Sequence, residues 1–159
     1  MGTRSNIIYE EPTGEVLSMY CHYDGYPSHS GRILFDQYNS AKKAKALVEI
    51  GYARVLTEEG AEIHLDQNPE RPNEMERHRN LNSYMWSVDT VMIEYIYRYD
   101  GDDWWVSEIK SVKPEDAYMV SITYHSKFKL LSEVLEEVDD GRLHGQMHIL
   151  RPEGRRKGG

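Results

Sequence analysis

Apolar positions in this chain alternate, then take a helical period, then alternate again. Residues 4–10 form a first extended run around Ile7, Ile8 and Tyr9. Glu15 to Tyr23 alternates strictly, with Val16, Ser18, Tyr20 and His22 on one side and Leu17, Met19, Cys21 and Tyr23 on the other. The second set is uniformly apolar and is therefore read as the core face. Between the two runs, Glu11-Pro12-Thr13-Gly14 is turn composition, so the pair predicts an N-terminal β-hairpin. Asp24-Gly25 ends the second strand. The period then lengthens. Ser28 or Ser30 is placed to cap a helix running to Tyr38, with Ile33 and Leu34 inward. Ser40 caps a second helix, Ala41 to Ile50, whose stripe is Ala44, Leu47 and Val48, and Gly51 closes it.

Tyr52 to Leu56 and Ala61 to Leu65 read as short strands. Residues 66–82 are polar, contain Pro69 and Pro72 and show no apolar period, which predicts a mobile loop with a helical turn at Glu74 to His78. Val91 to Tyr99 alternates again, placing Val91, Ile93, Tyr95, Tyr97 and Tyr99 on one face. Asp100 to Asp103 turns the chain into a strand from Trp104 to Lys110, with Tyr–Trp contacts across the hairpin. Tyr118 to Tyr124 is a further strand. Ser126 caps an amphipathic helix over Lys127 to Val138, striped by Leu130, Leu131, Val134, Leu135 and Val138, and Gly141 stops it. His144 to Leu150 reads as a last short strand. Strands and helices are segregated, so the fold class is α+β: one domain over 1–150 with a mainly antiparallel sheet, followed by a disordered basic tail at 151–159.

Composition modifies this picture in two ways. The chain is 39% hydrophobic, low for a globular domain, yet it has twelve Tyr and three Trp against two Phe. Such residues bury large area and keep a polar tip, so they serve either a core or a recognition surface. The net charge is −8; Arg151, Arg155, Arg156 and Lys157 against Glu153 give the tail +3, which leaves −11 on the body. An acidic body argues against contact with nucleic acid except through the tail. The single cysteine, Cys21, excludes an intrachain disulfide and fits a reducing compartment. No run approaches the length of a membrane span, which leads to the expectation of a cytoplasmic protein with no membrane partner.

Candidate chemistry concentrates in Tyr20-Cys21-His22-Tyr23-Asp24-Gly25-Tyr26-Pro27, where a strand meets a helix. His22 and Asp24 are two apart, the spacing of a carboxylate-oriented general base on a persisting strand. Cys21 faces the other way and is a poor nucleophile for His22. Asp24-Gly25 also has a sufficient structural role as a turn. Arg4 lies on the neighbouring strand, where its guanidinium could pair with a carboxylate or phosphate. Arg4, Tyr20, His22, Asp24, Tyr26 and His29 are therefore the candidate ligand- or partner-binding residues. His22, Asp24 and His29 match no closed metal-ligand spacing, and no cofactor motif is present.

Met1-Gly2-Thr3-Arg4-Ser5-Asn6-Ile7, the motif Tyr20 to Pro27, and Gly31, Leu34 and Tyr38 together resemble a family of small bacteriophage and prophage proteins. That family commonly has Trp where this chain has Tyr23. Tyr95 to Gly101 with Trp104-Trp105-Val106 resembles its Tyr-rich hairpin. The resemblance implies a phage accessory protein in the host cytoplasm, directed at host machinery or host defence, and brings no activity. The leading expectation is a non-enzymatic protein binding a host protein or a small, nucleotide-like ligand. The alternatives are a hydrolase or nuclease using His22 and Asp24, and an acidic mimic of nucleic acid.

Overall fold

The computed structural model describes residues 2–62, 74–112 and 122–141. Strand β1 (Ser5–Glu10) is central. It pairs antiparallel with β2 (Val16–Cys21), Ser5 opposite Cys21 and Glu10 opposite Val16. Its other edge runs parallel to β7 (Tyr95–Tyr99), Ser5 beside Tyr95. The outer edge of β2 is shared: β3 (Tyr52–Ala53) lies parallel to Tyr20-Cys21, and β6 (Glu76–His78) lies antiparallel to Val16–Ser18. β7 returns as β8 (Trp104–Val112), which takes β9 (Ile122–His125) and β10 (Lys129–Leu130) on its far side. β4 (Val55–Thr57) and β5 (Gly60–Glu62) make a separate hairpin. The helices are α1 (Arg32–Gln37), preceded by a π-helical turn over Pro27–Gly31, then α2 (Ala41–Val48), α3 (Leu81–Ser87) and α4 (Leu131–Asp139). The α+β class holds. The sheet is mixed and mostly antiparallel, because β1–β7 and β2–β3 are parallel pairs.

Both faces of the sheet are covered. On one, Leu17, Met19 and Cys21 join Ile7, Tyr97 and Trp104 under Leu34 of α1, Leu47 of α2 and Leu131 and Val134 of α4. On the other, Ile8, Val16, Ile93 and Ile96 pack against Tyr84 of α3. The expected core face of β2 is thus a core face, and so is its opposite, since Val16 and Ser18 are also buried. Full burial of an aliphatic side chain stabilises by about 1.5–3 kcal/mol, so the two-sided strands β1 and β7 dominate the core. The abundant tyrosine goes largely into this core. Tyr9 stacks on Tyr99 at 6.1 Å, and Tyr99 meets Trp104 edge-on at 5.1 Å across the β7–β8 hairpin. Trp104 Nε1 donates to the Tyr38 carbonyl at 3.1 Å.

Several boundaries differ from the sequence reading. Ser28 and Ser30 do not cap: the helical stretch begins at Pro27, and Ser30 Oγ donates to the Asp24 carbonyl at 2.7 Å. Ser40 does cap α2, accepting from Lys43 N at 3.2 Å. Glu76–His78 is a strand, because its backbone completes the edge of β2, and Asn80 caps α3 immediately afterwards. Val91 is outside β7 and 89% exposed. Asp89 holds Val91 N and Met92 N in a turn, and Ile93 joins the layer opposite to Tyr95. Helix α4 begins at Leu131: Ser126 exchanges hydrogen bonds with Glu108, and Lys129-Leu130 pairs with β8, so that segment extends the sheet. Residues 66–73 of the expected loop, the start of the Tyr118 strand, residues 144–150 and the tail at 151–159 lie outside the described residues.

Two tryptophans test this burial pattern. Trp104→Ala should lower unfolding free energy by about 3–5 kcal/mol, whereas Trp86→Ala, at a residue 84% exposed, should stay within about 0.5 kcal/mol of wild type. Urea denaturation of both variants checks it; equal losses would contradict the two-layer core.

Candidate functional site

The corner after β2 is built by the chain's first residues. Gly25 N donates to the Thr3 carbonyl at 2.9 Å, and the Gly25 carbonyl accepts from Tyr97 Oη at 2.6 Å. A Cβ on Gly25 would stand 2.8 Å from Ser5 Cβ and 2.9 Å from the Thr3 carbonyl, so only glycine fits. Gly2 is pressed on the Tyr23 ring in the same way. Asp24 takes a left-handed backbone, φ +57°, which turns the chain off the sheet. The first residues of the chain and the corner after β2 are therefore packed on each other.

Cys21 is sealed beneath this corner. Burial pushes its thiol up to about 11, against smaller opposing hydrogen bonds from the Tyr23 and Leu56 backbone and the Ser30 and Ser5 side chains. Burial likewise raises the hydroxyls of Tyr84 and Tyr97 well above the ordinary tyrosine range. Cys21 is a buried core residue whose thiol is held protonated.

The six candidate residues divide between the two faces of the sheet. Tyr20 and His22 lie on the α3 side, joined by Tyr20 Oη and His22 Nδ1 at 2.7 Å. Tyr20 also stacks on Tyr52 at 6.0 Å, and His22 meets Tyr23 edge-on at 4.4 Å. Asp24 and His29 line a shallow depression on the helix side with Arg32, Val55 and Glu58. His29 Nε2 is 2.8 Å from the Leu56 carbonyl, and Tyr26 packs beside it at 6.2 Å. His22 and Asp24 make no hydrogen bond with each other, because β2 ends at Cys21 and the Asp24 turn sends the two side chains apart. The persisting strand assumed for that pair is absent. Arg4 donates no side-chain hydrogen bond among the described residues, and its Nε is buried. Its carbonyl accepts from Glu94 N at 2.9 Å.

The α3 face also holds a cavity of about 250 Å³ between β2, β3, β6, α3 and the turn after α3. Tyr20, Tyr52 and Tyr84 supply aromatic walls, Asn6 and Ser18 line the sheet side, and Glu74, Glu76 and Asp89 supply carboxylates. Asn6 Nδ2 donates to Tyr84 Oη at 2.6 Å, which fixes both groups. Ser18 Oγ is 3.2 Å from His78 Nε2, and His78 lies edge-on to Tyr84 at 5.1 Å. Of these, the sequence reading named only Tyr20 as a candidate site residue. Asn6 was open to detection as a polar residue inside an apolar run, and Tyr84 as the aromatic of a helix capped by Asn80. Tyr52 opens the short strand read at Tyr52 to Leu56, and Glu76 comes from the segment without an apolar period. Cavities that bind drug-sized molecules run from about 300 Å³, so this one suits a ligand of one fused ring system.

Among the described residues no group of three His, Cys, Asp or Glu is placed to hold a metal ion, and no helix is long and apolar enough to cross a membrane. No family model, curated protein or solved structure matches the chain.

Cys21 should resist iodoacetamide at pH 8 in the native protein and react once urea unfolds it; rapid labelling of the native form would contradict its burial. The unfolded thiol ionises before the native one. Its contribution to stability is therefore intact below the ordinary thiol pKa and lost as pH rises toward about 11. Tyr84 and Tyr97 act in the same sense, so denaturation midpoints should fall across that alkaline window.

Proposed function

We propose that this protein binds a small planar ligand without transforming it, in the cavity walled by Tyr20, Tyr52 and Tyr84. The observation that carries the reading is the pairing of aromatic walls with carboxylates in one concavity, set against a His22–Asp24 pair that never assembles. A flat heterocycle with amino groups, such as a nucleobase, satisfies both features. Its faces stack on tyrosine, a contact typically worth about 1–3 kcal/mol per base. Its N–H groups donate to Glu74, Glu76 or Asp89. The setting we attach is the one the resemblance implies, a phage-encoded accessory protein in the host cytoplasm, where sequestering a small host molecule would counter a defence.

The acidic-mimic reading has less support. Glu10 pairs with Arg98 at 2.8 Å, Glu11 with Lys45 at 3.1 Å, Glu15 with Arg77 at 3.1 Å and Asp139 with Arg32 at 2.5 Å. Carboxylates spent in separate ion pairs do not form a continuous acidic track. A protein partner is favoured by Trp86 and Val91, both strongly exposed and flanking the cavity-lining stretch Ser87 to Asp89. Host lysate passed over immobilised wild type and Trp86→Ala should retain the same proteins if the small-ligand reading is right; a band lost only with Trp86→Ala would favour the partner.

Calorimetric titration of a nucleobase and nucleoside panel tests the cavity. At least one compound should bind wild type with micromolar affinity, about −8 kcal/mol. Glu74→Gln with Glu76→Gln, at two exposed positions, should weaken it about tenfold at unchanged melting temperature. Absence of any binding, or equal binding by the variant, would refute the proposed recognition.

A further inference from the structure

We infer that the ligand of the cavity is a planar organic cation of the amidinium class, its positive charge shared between nitrogens, rather than a neutral base; this rests on the cavity reading above. The lining is one-sided in charge. Glu74, Glu76 and Asp89 border the cavity, and no Lys, Arg or His stands among the described residues that line it. Basic groups nearby are directed elsewhere: Arg77 of β6 pairs with Glu15 at 3.1 Å. Among the described basic residues only His78 contacts one of the three carboxylates, its Nε2 lying 3.6 Å from Glu76 Oε1 and 3.2 Å from Ser18 Oγ. All three carboxylate residues are exposed, so they form an acidic rim over the aromatic walls.

The hydrogen-bonding sense is one-sided as well. Asn6 Nδ2 donates to Tyr84 Oη, Ser87 Oγ donates to the Tyr84 carbonyl at 2.8 Å, and Tyr20 Oη is joined to His22 Nδ1. These neutral groups already have partners within the protein. Asp89 Oδ1 accepts from Val91 N and Met92 N, which leaves Oδ2 outside those bonds. What the cavity offers a ligand is therefore chiefly carboxylate oxygen. A neutral nucleobase brings ring nitrogens and carbonyls that accept, and no cationic donor lines the wall to meet them. An anion is repelled. An amidinium lies flat, donates from each nitrogen and accepts nothing, so every polar atom it carries suits the rim. The walls favour the same charge. Tyr20 and Tyr52 stand as cross-strand neighbours with ring centroids 6.0 Å apart, and Tyr84 closes the α3 side. The faces of such rings attract a delocalised cation, more strongly where it is partly desolvated.

Benzamidine, its neutral isostere benzamide and the anion benzoate share one ring and differ in charge, so calorimetric titration of all three into the full chain decides the matter. We expect benzamidine to bind about tenfold or more tighter than benzamide, benzoate not to bind, and the benzamidine affinity to fall as NaCl is raised. Glu74→Gln with Glu76→Gln should bring benzamidine to within about twofold of benzamide, and Tyr20→Leu should weaken both. Melting temperatures confirm that the variants fold; Glu74→Gln alone, at an exposed position, and the salt dependence keep the test available if the others do not. Equal affinity for benzamidine and benzamide in wild type would overturn the charge preference and leave the cavity reading standing. Benzamidine binding that the carboxylate and Tyr20 variants leave unchanged would put the cation elsewhere and overturn the inference. Binding of none of the three would overturn it too, and the nucleobase panel then decides the cavity reading by itself.

Discussion

The Tyr97 hydroxyl, donated to the Gly25 carbonyl from the middle of the sheet, ties the corner after β2 to the core. Tyr97 is fully buried, so an unmade bond there would cost the desolvation of two polar groups, about 1–3 kcal/mol each. The bond fixes where the corner sits, and the Gly25–Thr3 hydrogen bond then fixes the N-terminal residues against it. β1 is held at its start by this corner and along its length by β2 and β7. Everything placed by β1 follows, including Asn6 on the α3 side and Ser5 beneath Gly25.

A strand at the centre of a two-sided sheet also explains why the titratable corner does not become a reactive centre. Successive residues of β2 feed opposite layers, so Cys21 enters the helix-side core while Tyr20 borders the cavity. The left-handed Asp24 then turns the chain toward the helices, taking Tyr26 and His29 with it. Density of polar groups along the sequence is thereby converted into separation in space. The tyrosines undergo the same sorting. Tyr9, Tyr95, Tyr97 and Tyr99 fill one core, and Tyr20, Tyr52 and Tyr84 meet around the cavity on the other side.

How much of this was legible depended on whether local pattern or distant pairing decided each element. The hairpin of β1 and β2, the Ser40 cap of α2 and the Tyr–Trp hairpin were readable, because alternation and turn residues specify them within a few positions. β6 was not, because Glu76–His78 has no apolar alternation and becomes a strand by satisfying the free edge of β2 more than fifty residues away in sequence. Ser126 looked like a cap because a helical stripe followed, yet its hydrogen bonds go to Glu108. Of the candidate site, the motif from Tyr20 to Pro27 was visible as chemistry. Its division between two faces was not, since one positive φ at Asp24 decides it and Asp-Gly composition assigns that conformation to Gly25 instead.

Register also sorts the charge of an acidic chain. A net charge of −8 is a sum, and its field is screened beyond about 8 Å at physiological ionic strength. Glu10, Glu11 and Glu15 are drawn into ion pairs with Arg98, Lys45 and Arg77, while Glu74, Glu76 and Asp89 border the cavity. Composition reports the sum of these charges and hides their sorting. Glu76 reaches the cavity because β6 pairs with β2, so the strand that carries Tyr20 also brings a carboxylate to the same concavity.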